Sequence, residues 1–475
     1  MPTRQHIRVL VTLVAALSAP ATPGHASDGV GWRGDGSGIY PATDPPTRWS
    51  PTEGVVWRTA MPTWGNASPV LVGDRLFVQA EPTTLLCLRA SDGKLLWSRD
   101  NPYIDTLAPA ERAAFASRLA RAEVAQAELE ATHKEIASLK RTLRKRKRVE
   151  GEEDPRARVE ALSQQAAALK AELESTSRFR TPATHDIIGY ASSTPVSDGR
   201  TVYTLFGNGV VAAFDLDGQR RWIRWLGHTP RMNGNPDGHA ASPLLIGGRL
   251  IVPYGVLQAL DPADGLVTWI SSVYRDFGTP TAAHAGGRDL VATPDGRLLD
   301  VRDGSPVARD VDELYYVGPL ADARRLYFAG STDTSSQNLR ATARAFDLAA
   351  LVSGRRDPVW STPLEMGRYY ASPLVRDGVF YAISESGYFS GLDAESGRQL
   401  FMENLRFRDT KPSIASAGPY LYLSDAEDGR TLVYRAGRQP TRVAENRLEP
   451  FRATPFFAGS RMYLRTHDAT WCIGR

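Results

Sequence analysis

The histidines best placed for chemistry are His185, His228, His239, His284 and His467, and they are scattered along the chain. Only the fold can bring them together, and a hydrogen-bonded loop role is the plainer reading of each. No His-Glu-x-x-His, cysteine-pair zinc spacing, acidic calcium loop or Gly-x-Ser-x-Gly elbow is present. Gly207-Asn208-Gly209 begins a loose dinucleotide fingerprint, but it falls between two strand-like runs and reads as a hairpin turn. Arg33-Gly34-Asp35 matches an adhesion tripeptide, but three residues recur by chance and the stretch reads as a plain turn.

A richer set precedes eight recurrences of a small residue followed by proline. It comprises Trp64, Asn66, Tyr190, His239, Asp276, Tyr315, Tyr316, Tyr369, Tyr370, Asp409 and Arg452. Aromatic faces, a histidine and both signs of charge form a ligand site if they converge on one concavity. The plainer alternative is that the aromatics plug a channel. A second set is the basic run Lys140, Arg141, Arg144, Lys145, Arg146, Lys147 and Arg148, seven cations in nine residues. It suits an anionic lipid surface, a polyanion or an acidic protein partner, and also a solvated helix tip offset by Glu150, Glu152, Glu153 and Asp154.

The element that must position the first set is a repeat. Residues 67–97 read as a small–Ser–Pro step, two strands about a Gly turn, a third strand, Asp92-Gly93, and a fourth strand closed by Trp97. The alternation has the period of two that buries one strand face. The steps recur at Ser68-Pro69, Thr194-Pro195, Ser242-Pro243, Thr279-Pro280, Gly318-Pro319, Ser372-Pro373, Lys411-Pro412 and Thr454-Pro455. The spacing predicts an all-β fold: an eight-bladed β-propeller of four-stranded blades, with seven blades as the fallback. The last unit runs out one strand short, so residues 54–59 are expected to supply it and close the ring. Cys87 and Cys472 occupy the same slot in the first and last blades, as two buried thiols or a disulfide.

Residues 102–182 interrupt the repeat. Phe115, Ala122, Leu129, Ile136 and Leu143 recur every seven residues, and Val159, Leu162, Ala166, Leu169 and Leu173 step by three and four. This predicts an inserted α-helical antiparallel coiled-coil hairpin with helices of about 40 and 24 residues. Residues 107–180 hold 16 Lys and Arg against 12 Asp and Glu, matching the whole chain's net +4, so the propeller is near neutral and no general polyanion surface is expected on it. Residues 1–26 read as a signal peptide cut after Ala26, which places the chain in the periplasm or outside the cell. Residues 27–53 read as an arm laid on the propeller and pinned by Trp32, Tyr40 and Trp49. The remaining propeller falls in residues 54–101 and 183–475.

The third-strand form at residues 259–269, with variants at 213–222 and 391–401, resembles the pyrroloquinoline-quinone (PQQ)-like propeller repeat of secreted, largely uncharacterised bacterial proteins. The fold is similar to that of the propeller lipoprotein of outer-membrane assembly and of the quinone-dependent alcohol dehydrogenases. The dehydrogenases imply PQQ held with Ca²⁺ by Glu, Asn and Asp, a catalytic Asp, and often a disulfide of adjacent cysteines. No residue here matches those motifs, so no catalytic residue and no metal ligand is assigned, and PQQ with Ca²⁺ is the only cofactor candidate. The expected function is a binding or assembly scaffold with envelope protein partners, the hairpin serving as a projecting contact arm. No specific nucleic-acid binding is expected. The alternative is a quinone- or metal-dependent oxidoreductase with its site at the channel mouth.

Overall fold

A computed structural model describes residues 29–42, 44–145, 155–176, 184–227, 238–273, 277–331 and 340–475. The expected signal peptide, His228, Asp276 and Arg146–Arg148 lie outside the described residues. Eight antiparallel sheets follow one another along the chain, each begun just after one of the small-residue–proline steps. Eight blades, rather than seven, is therefore the count. The ring closes as expected: Val55–Ala60 pairs antiparallel with Ala469–Gly474 and completes the eighth blade with a strand from near the other end of the chain.

Two devices hold neighbouring blades together, and both explain the repeat. The first is the closing tryptophan. The indole nitrogens of Trp57, Trp97, Trp222, Trp269 and Trp360 donate to the carbonyls of Ala90, Leu216, Pro262, Val301 and Ala394 on the next blade, at 2.8–3.0 Å. Each ring lies over the glycine of that blade's turn. A Cβ on Gly265 would sit 2.6 Å from the Trp222 ring, and the left-handed φ of +73° also favours glycine there. The motif's Gly and Trp are thus partners across a blade interface rather than within a blade. No Trp closes blade four. There the short helix Leu348–Val352 buries Leu348 and Leu351 against Ala285, Leu290 and Ala308.

The second device is the hydroxyl before proline. The backbone N–H groups of Ser68, Thr194, Ser242, Ser372, Ser413 and Thr454 donate to the side-chain oxygens of Thr194, Ser242, Thr279, Ser413, Thr454 and Ser68 respectively. These bonds of 2.9–3.1 Å run from blade to blade and close from the eighth onto the first. At the fifth blade the position is Gly318, whose added Cβ would collide with the Thr279 carbonyl.

The first part of the N-terminal arm, up to Tyr40, does not lie over the propeller surface. It enters the central channel. Val30 bridges Ser197 on the second blade, and Ile39–Tyr40 pairs in parallel with Ser416 and Ala417 on the seventh. Between them Arg33, 1% exposed, crosses the channel and donates to the Pro373 and Ile414 carbonyls at 2.8 and 3.1 Å. Burial lowers the guanidinium pKa to about 10, against the opposing pull of Tyr40 and Asp35. The guanidinium lies where a side chain on Gly38 would be. Arg33 is therefore a structural bolt and not part of an exposed tripeptide. The arm then packs Tyr40 on Phe456 and Phe457, fixes Trp49 through Asn446, and becomes the closing strand.

The insertion forms two helices, Pro109–Lys145 and Pro155–Ser175, slightly shorter than expected. Ala122, Leu129, Ala166, Leu169 and Leu173 bury one another along the seam, joined by Ala125. Ion pairs Arg121–Glu172 and Arg158–Glu135 show that the helices run antiparallel. The hairpin leaves the outer strand of blade one and returns to the inner strand of blade two, so its root is on the face where all inter-blade connections arrive. Among the described residues no helix is long and apolar enough to cross a membrane.

Candidate functional site

The connections into the inner strands surround a cavity of about 380 Å³ on the channel axis. Its lining follows a parity rule set by the prolines. Chain entering an extended strand turns alternate side chains to opposite sides. The first and third residues before each proline face the cavity: Asn66 and Ser68, Ser192 and Thr194, Ala240 and Ser242, Phe277 and Thr279, Tyr316 and Gly318, Tyr370 and Ser372, and Arg452 and Thr454. Blade seven is shifted by two residues, keeping the parity, and presents Lys411 and Ser413; Gly278 and Val317 also touch the cavity from between the alternating positions. Trp32 of the N-terminal arm is the floor, so the cavity is a blind well rather than a tunnel mouth.

Of the residues singled out in the sequence, the structure brings Asn66, Tyr316, Tyr370 and Arg452 together in this well. It turns others away. His239 is fully buried, its Nε2 2.8 Å from the Ala241 carbonyl and its ring edge-on to Tyr254. Tyr369 is 2% exposed, donates to the Glu365 carbonyl at 3.1 Å and joins the core between blades five and six. Both stand four residues before proline, on the wrong parity. Trp64 and Tyr190 stand five before, above Glu81: the Glu81 N–H donates to the Trp64 carbonyl, and the Tyr190 N–H donates to the Glu81 carboxylate at 2.7 Å. Asp409 pairs with Lys411 from outside the lining, and Tyr315 packs edge-on against Tyr316.

The well also contains residues that sequence reasoning missed. Residues 184–191, returning from the hairpin, form a strap that contributes Ile187 and Ile188 to the rim, together with His185, which the sequence singles out only as one of several scattered histidines. Asn66 Nδ2 donates to the Ile187 carbonyl at 2.7 Å, and Glu81 accepts from the Tyr190 and Ala191 N–H groups at 2.7 and 2.6 Å. Burial raises the Glu81 carboxyl to about 7, against the downward pull of those two bonds. Phe277, Lys411 and Trp32 were missed as well. Parity was available as a signal for the first two; nothing local marks Trp32.

Three features define the chemistry. Phe277, Tyr316 and Tyr370 form one aromatic wall, with ring centroids 5.7 and 4.8 Å apart in sequence, and Lys411 Nζ lies 5.3 Å over Tyr370. Burial raises the Tyr370 phenol to about 12, so it stays protonated. Arg452 shares a 2.9 Å contact with His467 Nε2, and burial lowers the pKa of each. Most other ring positions bear hydroxyls, from Ser68, Ser192, Thr194, Ser242, Thr279, Ser372, Ser413 and Thr454, with Asn66, Ala240 and Gly318 among them. Among the described residues no Asp or Glu lines the well.

That donor set does not fit PQQ held by Ca²⁺. A calcium ion takes several oxygens, usually carboxylates, and among the described residues none lines this well. Among the described residues no group of three His, Cys, Asp or Glu side chains gathers as a metal site. Cys87 and Cys472 are free thiols buried inside their own sheets, not a bridge over the cavity, and burial raises both to about 12.

Residues 42–116 match the model of a family described as outer membrane protein assembly factor BamB. The protein of that name from Yersinia pestis is 26% identical over 257 residues, which cover 50% of this chain and 62% of that protein. The chain thus spans less than two thirds of that curated relative. BamB from Moraxella catarrhalis is 17% identical, covering 58% of this chain and 82% of its own, with a TM-score of 0.45. The computationally designed Ika8 protein is 8% identical, covering 89% of this chain and 99% of its own, with a TM-score of 0.46. At such identities and TM-scores the structural likenesses carry no argument about activity.

Proposed function

Because its blades resemble the PQQ-like propeller repeat, we propose that this chain is a binding scaffold of the bacterial envelope, in the manner suggested by relatives named as outer-membrane assembly factors. The observation that carries the reading is the sidedness of the molecule. The helical hairpin and the well share the face where the inter-blade connections arrive, while the N-terminal arm closes the channel beneath. A partner meeting that face meets a projecting helical arm and a recessed polar centre together. The hairpin is longer than an inter-blade connection requires, and its solvent-facing sides are charged. Its basic end, Lys140 to Arg148, supplies an anionic contact that fades with salt. Residues 1–26 deliver the chain to the periplasm or beyond the cell.

The test replaces residues 107–178 by a short Gly/Ser linker, keeping the strap. The expected protein retains its β circular dichroism, loses the helical part, and no longer crosslinks in the envelope to the partners of the intact chain. An unchanged crosslinking pattern overturns the arm, and loss of all structure shows that the hairpin is part of the propeller core.

A further inference from the structure

We propose that the blind well on the propeller axis receives an anionic sugar unit, a hexuronate or a phosphorylated hexose, at the end of a chain or free. The inference goes beyond the scaffold reading and is read out independently of it.

The sign of the ligand comes from the lining. Lys411 and Arg452 are on the wall, and among the described residues no carboxylate side chain is. Asp409 offsets Lys411 from behind. Among the described residues Arg452 has no ion-pair partner: its Nη1 faces the His467 ring nitrogen, and its Nε is buried without a hydrogen bond. A nitrogen that faces a guanidinium accepts from it, so His467 is neutral there, and burial with Arg452 and Arg465 nearby favours that form. Asp409 acts on the Arg452 charge as well as on Lys411, and the two cations outnumber that one carboxylate, which leaves net positive charge facing the well.

The hydroxylated body of the ligand comes from the ring. Ser68, Thr194, Ser242, Ser413 and Thr454 each accept a neighbouring blade's N–H, which occupies one lone pair and leaves the O–H proton to donate. All five line the same cavity. Converging O–H donors, with no carboxylate among the described residues to receive them, suit a molecule dense in oxygen acceptors. The flat form comes from the wall. Phe277, Tyr316 and Tyr370 offer ring surface beside those donors, and Trp32 offers an indole below. Apolar faces edged by polar groups match a pyranose, whose C–H face is apolar and whose rim is hydroxyl.

Size and topology fix the mode. About 380 Å³ lies at the low end of the range for small-molecule sites. Since the N-terminal arm closes the floor, a glycan cannot thread through and must enter by its end.

The experiment is isothermal titration of the full mature protein with galacturonate, glucose 6-phosphate and glucose, each to about 10 mM. At least one anionic sugar is expected to bind, at least about tenfold more tightly than glucose. Arg452→Gln and Lys411→Met are each expected to weaken binding by about tenfold or more, with melting unchanged as the check on folding. Tyr370→Ala removes wall while leaving both charges, and Ser68→Ala should weaken binding least. If Arg452→Gln fails to fold, Lys411→Met carries the decision. No heat with either anionic sugar overturns the proposal. So does equal binding of glucose, or equal competition by inorganic phosphate and acetate, which would reduce the site to a simple anion site. A working sugar site with an inert hairpin, or the reverse, separates this inference from the scaffold reading.

Discussion

The docking of Trp onto the next blade's glycine can be measured with a matched pair in one blade. Gly265 and Gly248 both lie in the left-handed region, at φ +73° and +70°. An alanine at Gly248 meets nothing within 4 Å, so Gly248→Ala costs only the backbone term, about 1 kcal/mol. An alanine at Gly265 bears that cost and also strikes the Trp222 ring, 2.6 Å from the new Cβ. Trp222 is nearly buried, and its Nε1–H donates to the Pro262 carbonyl at 2.9 Å. Displacing it forfeits that bond, about 1 kcal/mol, and part of the roughly 3–5 kcal/mol that deleting a buried aromatic costs. The excess over Gly248→Ala should be about 3 kcal/mol. At roughly 2 cal/mol/K per residue the unfolding entropy of a chain this long is about 0.9 kcal/mol/K, so Gly265→Ala should melt about 3 °C below Gly248→Ala. Scanning calorimetry at neutral pH reads this directly. Two variants melting within about 1 °C of each other would refute the claim that the motif's glycine exists to seat the neighbouring tryptophan.

Other outcomes follow from the same contacts. Deleting residues up to Thr59 removes the arm and most of the strand that pairs with Ala469–Gly474, so the variant should lose cooperative melting, and an unchanged melting curve would contradict closure by this strand. Arg33→Met leaves the Pro373 and Ile414 carbonyls without their donor, which should destabilise by about 2–4 kcal/mol in urea unfolding despite relieving a buried charge; an equally stable variant would mean the bolt contributes nothing net. Glu81 is an acid whose folded pKa is raised by burial, from about 4.5 to about 7. Its contribution is therefore fully present below the unfolded value and lost as pH rises through about 7. Melting temperature should fall between pH 5 and 8, and Glu81→Gln should flatten that slope; an unaltered slope assigns it to other groups.

Much of the fold was legible because its signals are local. The small residue before proline, the Gly turn and the closing Trp each recur where a strand starts, reverses or ends, so the eight starts match the eight sheets. Candidate site residues fared unevenly for one reason. Proximity to proline was read without its parity, which admitted His239 and Tyr369 and passed over Lys411 and Phe277. The period of two that located the strands extends into the residues before them, and it also sorts the well-facing side chains from the core-facing ones.

The sequence by itself determined the propeller of repeated blades, eight by count with seven left open, the closing strand near Val55–Ala60 and the antiparallel hairpin, since each is encoded by periodicity or by a defect in it. Only the tertiary structure decided that the channel is blind. Arg33 reaches carbonyls 340 and 381 residues away, and Trp32 becomes the floor of a cavity built by eight other segments. An aperiodic Gly-rich arm carries no pattern that distinguishes lying on a propeller from entering it. What selects entry is the fit of one buried guanidinium to two main-chain oxygens, and those oxygens are brought side by side only when the blades have closed around them.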